Sequence, residues 1–355
     1  MSILLPAMLA AFSAASAIDS IPPAVHVDSS SHLVIVEYVV SSPTTPMTGH
    51  QHGAQANSAS ASHGHHGSHQ AVGHGDHGAH TRHVARFDWP VDGWIRGARV
   101  EVADPDGAPL SQRLLHHVNV INFDRRQLLH PALERVYAAG QETRPVALPA
   151  TVGVPVTAGM EFALLAAFDP STMLPGSRIR VIITWSPTNQ VPRPVDVYPL
   201  LLDAGFRPGQ TPAYDLPPGR SERTLEFVMP VSGRVLVAGG HLHDYGVELR
   251  LEDTGKQERV FTLEAVTDTA GRMQHIPLSL PGVIGRGRPL EAGRHYRLTV
   301  VYDNPTGEVI PEGAMGEMAL LFAPDDSEMA LQVDRSQAEI IADIESLTGF
   351  EEGTH

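Results

Sequence analysis

The sequence contains no cysteine, which excludes disulfide bonds, thiolate metal sites, iron–sulfur clusters and cysteine nucleophiles. Cations are scarce as well: 25 lysine and arginine residues face 40 aspartate and glutamate residues, for a formal net charge of −15, and the single lysine is Lys256. A chain of that charge repels phosphate backbones and anionic lipids, so nucleic-acid binding is not expected. No uninterrupted apolar run reaches the length of a membrane-spanning helix, so we expect no membrane span.

Common catalytic signatures are also missing. The sequence has no Gly-x-Ser-x-Gly elbow, no Walker loop, no dinucleotide-binding glycine motif after a strand and no His-Glu-x-x-His zinc motif. What it has instead is 20 histidines in 355 residues. Because imidazole is the commonest metal ligand among side chains, metal binding is the first function to consider.

Residues 1–17 have the pattern of a signal peptide. An apolar run from Ile3 to Phe12 precedes Ala15-Ser16-Ala17, a small-x-small cleavage pattern. The alternative is a buried N-terminal helix, since a positively charged start is missing. We expect export to the periplasm or the extracellular space. Residues 18–48 then form an N-terminal strand segment around the apolar run Leu33–Val40.

Residues 49–83 form a linker of glycine, alanine, serine and histidine with almost no large apolar side chain. Such a composition buries too little surface to offset the entropy of ordering, so this segment is predicted to be disordered. It carries half of the histidines: His50, His52, His63, His65, His66, His69, His74, His77, His80 and His83. It resembles a tethered chelator of Cu²⁺, Zn²⁺ or Ni²⁺, and the alternative is a solvated linker.

The remaining chain divides into two β-rich halves, residues 84–190 and 191–325. Short apolar segments alternate with turns rich in glycine, proline and aspartate, and only Pro131–Ala139 suggests a short helix. Strands that follow one another without helices favour antiparallel sheets. We therefore predict an all-β fold of two tandem antiparallel β-sandwich, jelly-roll-like domains, followed by an acidic amphipathic C-terminal helix in residues 326–355.

Two histidines stand at the end of an apolar strand in the second half. His241 and His243 are separated by one residue, so strand geometry places them on one face, close enough to chelate one ion. Leu242 then points the other way, into the core. The alternative is a surface histidine pair without a metal.

Two further segments carry candidate metal ligands. His116 and His117 are adjacent, so both can face one metal only at a β-bulge or a twisted strand end. Met315 lies among small residues before an apolar strand, where its thioether is free to point at a metal. Thioether beside imidazole favours Cu(I). Met318 begins that strand and is expected to pack inward.

These elements in this order resemble the copper type II, ascorbate-dependent monooxygenases, the family of peptidylglycine α-hydroxylating monooxygenase and dopamine β-monooxygenase. The resemblance covers roughly residues 84–324. The segments LLHHVNV, AAGQET, GGHLHDYGVEL and YDNPTGEVIPEGAMGEM look like the bacterial, mostly uncharacterised branch of that fold.

The resemblance implies a role for each ligand. His241, His243 and Met315 would hold the copper at which O₂ reacts, with Met318 as the alternative methionine, and His116 and His117 would hold an electron-transferring copper. The chain departs from the family in two respects. It lacks the structural disulfides, and the segment around 165–169, where a third first-site histidine is expected, contains none. His130 is the first residue to consider as a replacement.

The sequence thus predicts an exported protein that binds one or two copper ions and hydroxylates a C–H bond with O₂ and an external reductant such as ascorbate. Its substrate, a small molecule or a peptide, is not identified by any motif. The alternative is a non-catalytic copper-binding or copper-storage protein with a degenerate first site. A third possibility is a β-sandwich module whose metal sites have decayed.

Overall fold

The computed structural model describes residues 22–41, 81–140, 143–168, 173–210, 212–326 and 331–348. About 57% of these described residues are in strands and 6% are helical, as an all-β fold requires. The first twelve strands are β1 (Ala24–Asp28), β2 (Leu33–Val39), β3 (Thr81–Asp88), β4 (Gly93–Ala103), β5 (Pro109–Leu110), β6 (Leu115–Arg126), β7 (Leu133–Gly140), β8 (Val146–Ala147), β9 (Val152–Val156), β10 (Glu161–Phe168), β11 (Arg178–Pro187) and β12 (Val195–Asp196). A 3₁₀ turn over Gln112–Leu114 precedes β6.

The second half of the chain also consists mainly of strands. Its strands are β13 (Tyr198–Asp203), β14 (Tyr214–Leu216), β15 (Gly219–Val228), β16 (Gly233–Leu242), β17 (Gly246–Asp253), β18 (Glu258–Glu264), β19 (Val266–Thr267), β20 (Met273–His275), β21 (Arg288–Leu290), β22 (His295–Asn304), β23 (Ile310–Ala314) and β24 (Gly316–Pro324). Its helices are the single turn α1 (Pro281–Ile284) and the C-terminal α2 (Ala338–Thr348).

Two sheets form the first sandwich. One runs β1-β2-β11-β4-β9-β12, with β5 and β8 also paired to β4, and the other runs β3-β10-β6-β7. Alternate side chains of both sheets meet in one core that includes Val36, Val120 and Phe162. The N-terminal hairpin β1–β2 belongs to this sandwich because β2 pairs with β11. At the other end the sheet extends past residue 190, since β12 pairs with β9 in parallel.

The second sandwich packs the sheet β13-β24-β16-β21 against the sheet β15-β22-β17-β18. Its core includes Leu202, Leu242 and Met318 from one sheet and Leu249 and Val300 from the other. The predicted inward positions of Leu242 and Met318 are confirmed: Leu242 is 1% exposed and Met318 is fully buried. The all-β sandwich prediction is confirmed.

One predicted helix is wrong. The segment Pro131–Ala139 is largely strand β7, in spite of its good helix formers Ala132, Leu133 and Glu134. β7 pairs with β6 over most of its length and alternates between the sandwich core and the opposite face, burying Tyr137 in the core. Tertiary pairing therefore overrides the weak local preference for helix.

The two sandwiches contact each other directly. Leu236 and Val237 of β16 pack against the first core, and so do Leu321 and Ala323 of β24. In return, the turn between β6 and β7 contributes Leu128 and Leu129 to the second core. The outer face of the sheet β13-β24-β16-β21 therefore lies against the first sandwich, and that face carries the residues discussed below.

The predicted signal peptide in residues 1–17 and residues 49–80 of the linker lie outside the described residues. The last three linker positions, 81–83, begin β3, where the ring of His83 stacks on Phe168 at 5.2 Å between centroids. Burial lowers the pKa of His83. None of the helices in the described ranges has both the length and the apolar character needed to cross a membrane.

Candidate metal centre

His241 and His243 lie at the end of β16, with their ring centroids 5.2 Å apart and their planes nearly perpendicular. Both side chains are partly exposed, while Leu242 between them is buried in the core of the second sandwich. The alternation predicted from the sequence therefore holds, and the two imidazoles share the outer face of the sheet.

The neighbouring strand brings Met315 to the same place. β16 and β24 pair antiparallel, with His241 opposite Glu317 and Leu242 opposite Gly316. Met315 directly precedes β24, so one further step of this register sets it opposite His243. Residues directly opposite each other in an antiparallel pair lie on one face, so we expect Met315 to share the outer face with His241 and His243.

The hydroxyl of Tyr302 fixes this end of the two strands. Tyr302 is 1% exposed, and its oxygen accepts hydrogen bonds from the backbone N–H of His243, at 2.9 Å, and of Met315, at 3.1 Å. The same hydroxyl donates to the carbonyl oxygen of Met315. One buried side chain on β22 thus joins the backbones of two candidate ligands. Burial raises the pKa of Tyr302, which keeps the hydroxyl protonated and able to donate.

A glycine beside the histidines permits close packing there. A Cβ atom on Gly240 would lie 2.2 Å from the Leu249 side chain, so no other residue fits at that position without displacing the core. Gly240 therefore faces the second core, on the side of the strand opposite to His241. The space it leaves is taken by the second core.

A row of ionisable side chains crosses the same face. Asp203 on β13 lies opposite Glu317 on β24, which lies opposite His241 on β16. Burial, and then the negative charge of Glu317, raise the pKa of Asp203 to about 8. Burial also raises the pKa of Glu317, while the charges of His241 and Arg135 act against that rise. Both carboxyl groups are therefore harder to ionise than a carboxyl group in water.

The donor set decides which ion this patch suits. Within the described residues, no group of three or more histidine, aspartate and glutamate side chains is placed to hold a metal ion. The patch offers two imidazoles and a thioether instead, which is a soft set. Cu(I) prefers such ligands, whereas zinc sites are usually completed by carboxylate, thiolate or a further imidazole.

The first histidine pair lies at a β-bulge, one of the two arrangements that would let both side chains face one metal. Ala167 of β10 pairs with His117, but the next residue, Phe168, pairs with Leu115, so His116 is the extra residue. The two Nδ1 atoms are 2.7 Å apart, a hydrogen-bond distance. A metal bound to both would need these nitrogens to separate to roughly 3.3–4 Å, given metal–nitrogen bonds of about 2.0–2.1 Å.

His130 does not complete this first pair, which corrects the suggestion from the sequence. In the hairpin β6–β7, His117 pairs with Gly140 near the open end, whereas His130 lies in the turn beyond Arg126. The two histidines are therefore separated by about 30 Å of strand. His130 packs on the ring of Phe206, 4.4 Å away between centroids. Burial, and then the charge of Arg135, lower the pKa of His130 to about 4.

Asp244 has a structural role next to the site. Its Oδ1 accepts a hydrogen bond from the backbone N–H of Met273 at 2.8 Å, and the N–H of Tyr245 donates to the carbonyl of Gly271 at 2.8 Å. These bonds hold the β19–β20 hairpin against the end of β16.

The sequence analysis did not identify Tyr302, Glu317 or Asp203. Of these, only Glu317 could have been noticed from the sequence, because it lies between Met315 and Met318.

We predict that Tyr302→Phe weakens Cu(I) binding roughly tenfold and lowers the free energy of unfolding by about 1–3 kcal/mol, because it leaves buried backbone groups of His243 and Met315 unpaired. Competition with a Cu(I) chelator and denaturant unfolding measure the two effects. Tyr296→Phe is the matched control, since that buried tyrosine accepts from Glu291, away from the site. Equal copper affinities in all three proteins would contradict the role given to Tyr302.

Comparison with known proteins finds no matching family profile and no matching curated protein. Among solved structures, the major capsid protein P2 of bacteriophage PM2 aligns with 69% of this chain and 93% of its own, at 12% identity and a TM-score of 0.33. A protein from Parabacteroides distasonis inferred to be secreted aligns over 83% and 91%, at 10% identity and a TM-score of 0.21. Likenesses this distant carry no argument about function.

Proposed function

We propose that this protein binds copper at His241, His243 and Met315. The observation that carries the proposal is the hydroxyl of Tyr302, which holds the backbones of His243 and Met315 together at the end of the strand that also presents His241. A buried hydroxyl committed to three backbone groups gives these two residues one defined arrangement. Defined placement of ligands on strands is what a metal site requires.

The chemistry of the donors makes Cu(I) the preferred ion, and the resemblance to the ascorbate-dependent monooxygenases supports the same choice. In that family a copper of this type supplies activation of O₂ for the hydroxylation of a C–H bond. The chain's own part is to hold the ligands on one face of the sheet, at the junction with the first sandwich. Glu317 and Asp203 place two carboxyl groups with raised pKa on that same face.

His116 and His117 are proposed to bind a second copper more weakly. Their bulge turns both rings to one place, but among the described residues no third histidine accompanies them. Two imidazoles suit linear Cu(I). Turnover would then require an external reductant, and export to an oxidising compartment, as the first seventeen residues suggest, would suit a protein that uses O₂.

The second candidate is a copper-binding protein without turnover. The incomplete first histidine pair favours it, because among the described residues no third histidine, aspartate or glutamate joins His116 and His117 in a group that could hold a metal ion. Ascorbate-dependent O₂ consumption by the copper-loaded protein separates the two candidates. Consumption that is abolished by His241→Ala favours the enzyme, and consumption no faster than that of free copper favours the storage protein.

The test of copper binding uses the full chain with nine linker histidines replaced by serine: His50, His52, His63, His65, His66, His69, His74, His77 and His80. We expect this variant to retain at least one copper per chain after dialysis against a moderate chelator, because the proposed site lies in the second sandwich. His83 is kept, since it stacks on Phe168 in β3. A variant that retains no copper would place all binding in the linker and refute the site.

A further inference from the structure

We propose that residues 331–348, here called the C-terminal strap, hold the two sandwiches in one fixed orientation. The strap follows β24, the last strand of the second sandwich, and lies close to Gly209 after β13, yet its hydrogen bonds and apolar contacts described here are with the first sandwich. The backbone N–H of Arg126, the last residue of β6, donates to the carbonyl of Leu331 at 2.9 Å, and Gln332 forms an isolated β-bridge with Arg125. The chain thus returns from one sandwich to the other.

The strap covers an apolar surface of the first sandwich. On the face of the sheet β3-β10-β6-β7 that points away from the first core, five buried residues form a separate cluster. They are Ile121, Phe123, Leu133, Ala163 and Leu165. Val333, Ile344 and Leu347 of the strap pack against this cluster. Without the strap these side chains would be exposed to water, so burial drives its docking.

A buried carboxylate anchors the helix of the strap. Asp343 is 2% exposed, and its oxygens accept hydrogen bonds from both terminal nitrogens of Arg135, at 2.6 and 2.8 Å, and from the backbone N–H of Leu133, at 2.8 Å. This bidentate pair has the geometry of the strongest charge-assisted contacts. A second contact is made by Arg335, whose guanidinium reaches the carbonyl of Phe123 at 3.4 Å and Glu161 at 3.2 Å.

The strap contacts β6, which carries one pair of candidate metal ligands, and follows β24, which begins directly after Met315. β6 begins beside His116 and His117 and ends at the strap, while β24 begins after Met315 and leads into the strap. Domains joined within a chain move relative to each other unless their contact is extensive. The strap adds an attachment on the face of β6 opposite to the core that Val237 joins. A consequence for copper rests on the proposed function: if both sites bind copper, the strap sets the separation of the two copper sites.

The experiment measures the distance between the sandwiches without copper, so its outcome is independent of the proposed function. Because the chain has no cysteine, Asp106→Cys and Glu258→Cys give one spin-label site in each sandwich. Pulsed electron–electron distance measurements are expected to give a narrow distribution in this background. Adding Asp343→Ala is expected to at least double its width, and calorimetry should then show two unfolding transitions in place of one.

The matched control is Glu345→Ala, an exposed acidic residue of the same helix, which should leave the distribution unchanged. Should Asp343→Ala fail to fold, Arg335→Ala removes only the outer contacts and is expected to broaden the distribution by a smaller amount. A folded Asp343→Ala or Arg335→Ala protein with the original narrow distribution and a single transition would overturn the proposal.

Discussion

Replacing His241 with alanine is expected to lower the Cu(I) affinity of the second-sandwich site by at least about 100-fold. Loss of a residue that merely supports a ligand typically costs 10–100-fold in metal affinity, so loss of a ligand should reach the upper end of that range. One imidazole and one thioether would remain. The measurement is copper content after dialysis against a moderate chelator, together with Cu(I) affinity by competition.

His116→Ala is the informative comparison for this variant. The first pair has two imidazoles and, among the described residues, no third histidine or carboxylate placed with them, so its copper should be weakly held and the chelator should remove it from the wild type as well. Retained copper should therefore change little. His295→Ala, an exposed histidine of β22, controls for the loss of any imidazole. If wild type retains two coppers and each of His241→Ala and His116→Ala loses one, an unidentified residue completes the first site.

Met315→Ala and Met318→Ala are expected to change different properties, although the two residues are only three positions apart: the first Cu(I) affinity, the second stability. Met315→Ala should weaken Cu(I) binding much more than Cu(II) binding, because a thioether prefers the softer ion, and should change stability little. Met318 is fully buried in the second core, so its truncation should lower the free energy of unfolding by about 2–5 kcal/mol. Denaturant unfolding and competition for each copper oxidation state measure both quantities.

Methionine replaced by leucine refines the comparison, since leucine keeps most of the volume and removes the sulfur. Met318→Leu should restore most of the stability, whereas Met315→Leu should remain deficient in Cu(I) binding. The assignment is wrong by three residues if Met318→Ala weakens Cu(I) binding in a folded protein while Met315→Ala leaves it intact.

Local sequence predicted much of the strand framework. The apolar strand predicted to end at the His241–His243 pair is strand Gly233–Leu242, and the one predicted around Leu33–Val40 is strand Leu33–Val39. Alternation of apolar residues identifies strands of this kind because one face of each is buried in a sandwich core. The same rule failed at β7, where alanine, leucine and glutamate favour helix locally and pairing with β6 decides the outcome.

In the candidate site, too, some features follow from the local sequence and others do not. That His241 and His243 share a face, that Leu242 is buried, and that His116 and His117 need a bulge all follow from the two-residue period of a strand, which is a local property. The resemblance to copper monooxygenases, drawn from the same segments, stays a prediction.

The sequence by itself determined the strand content and the faces of the histidine pairs, because both depend on periodicity within a few residues. Only the tertiary structure decided the contacts between distant segments: the register that sets Met315 beside His243, the hydroxyl of Tyr302 that joins them, and the distance that separates His130 from His117. The docking of Asp343 on Arg135 belongs to the same class, across more than two hundred residues. No local pattern encodes such contacts, since each depends on how whole sheets pair and pack.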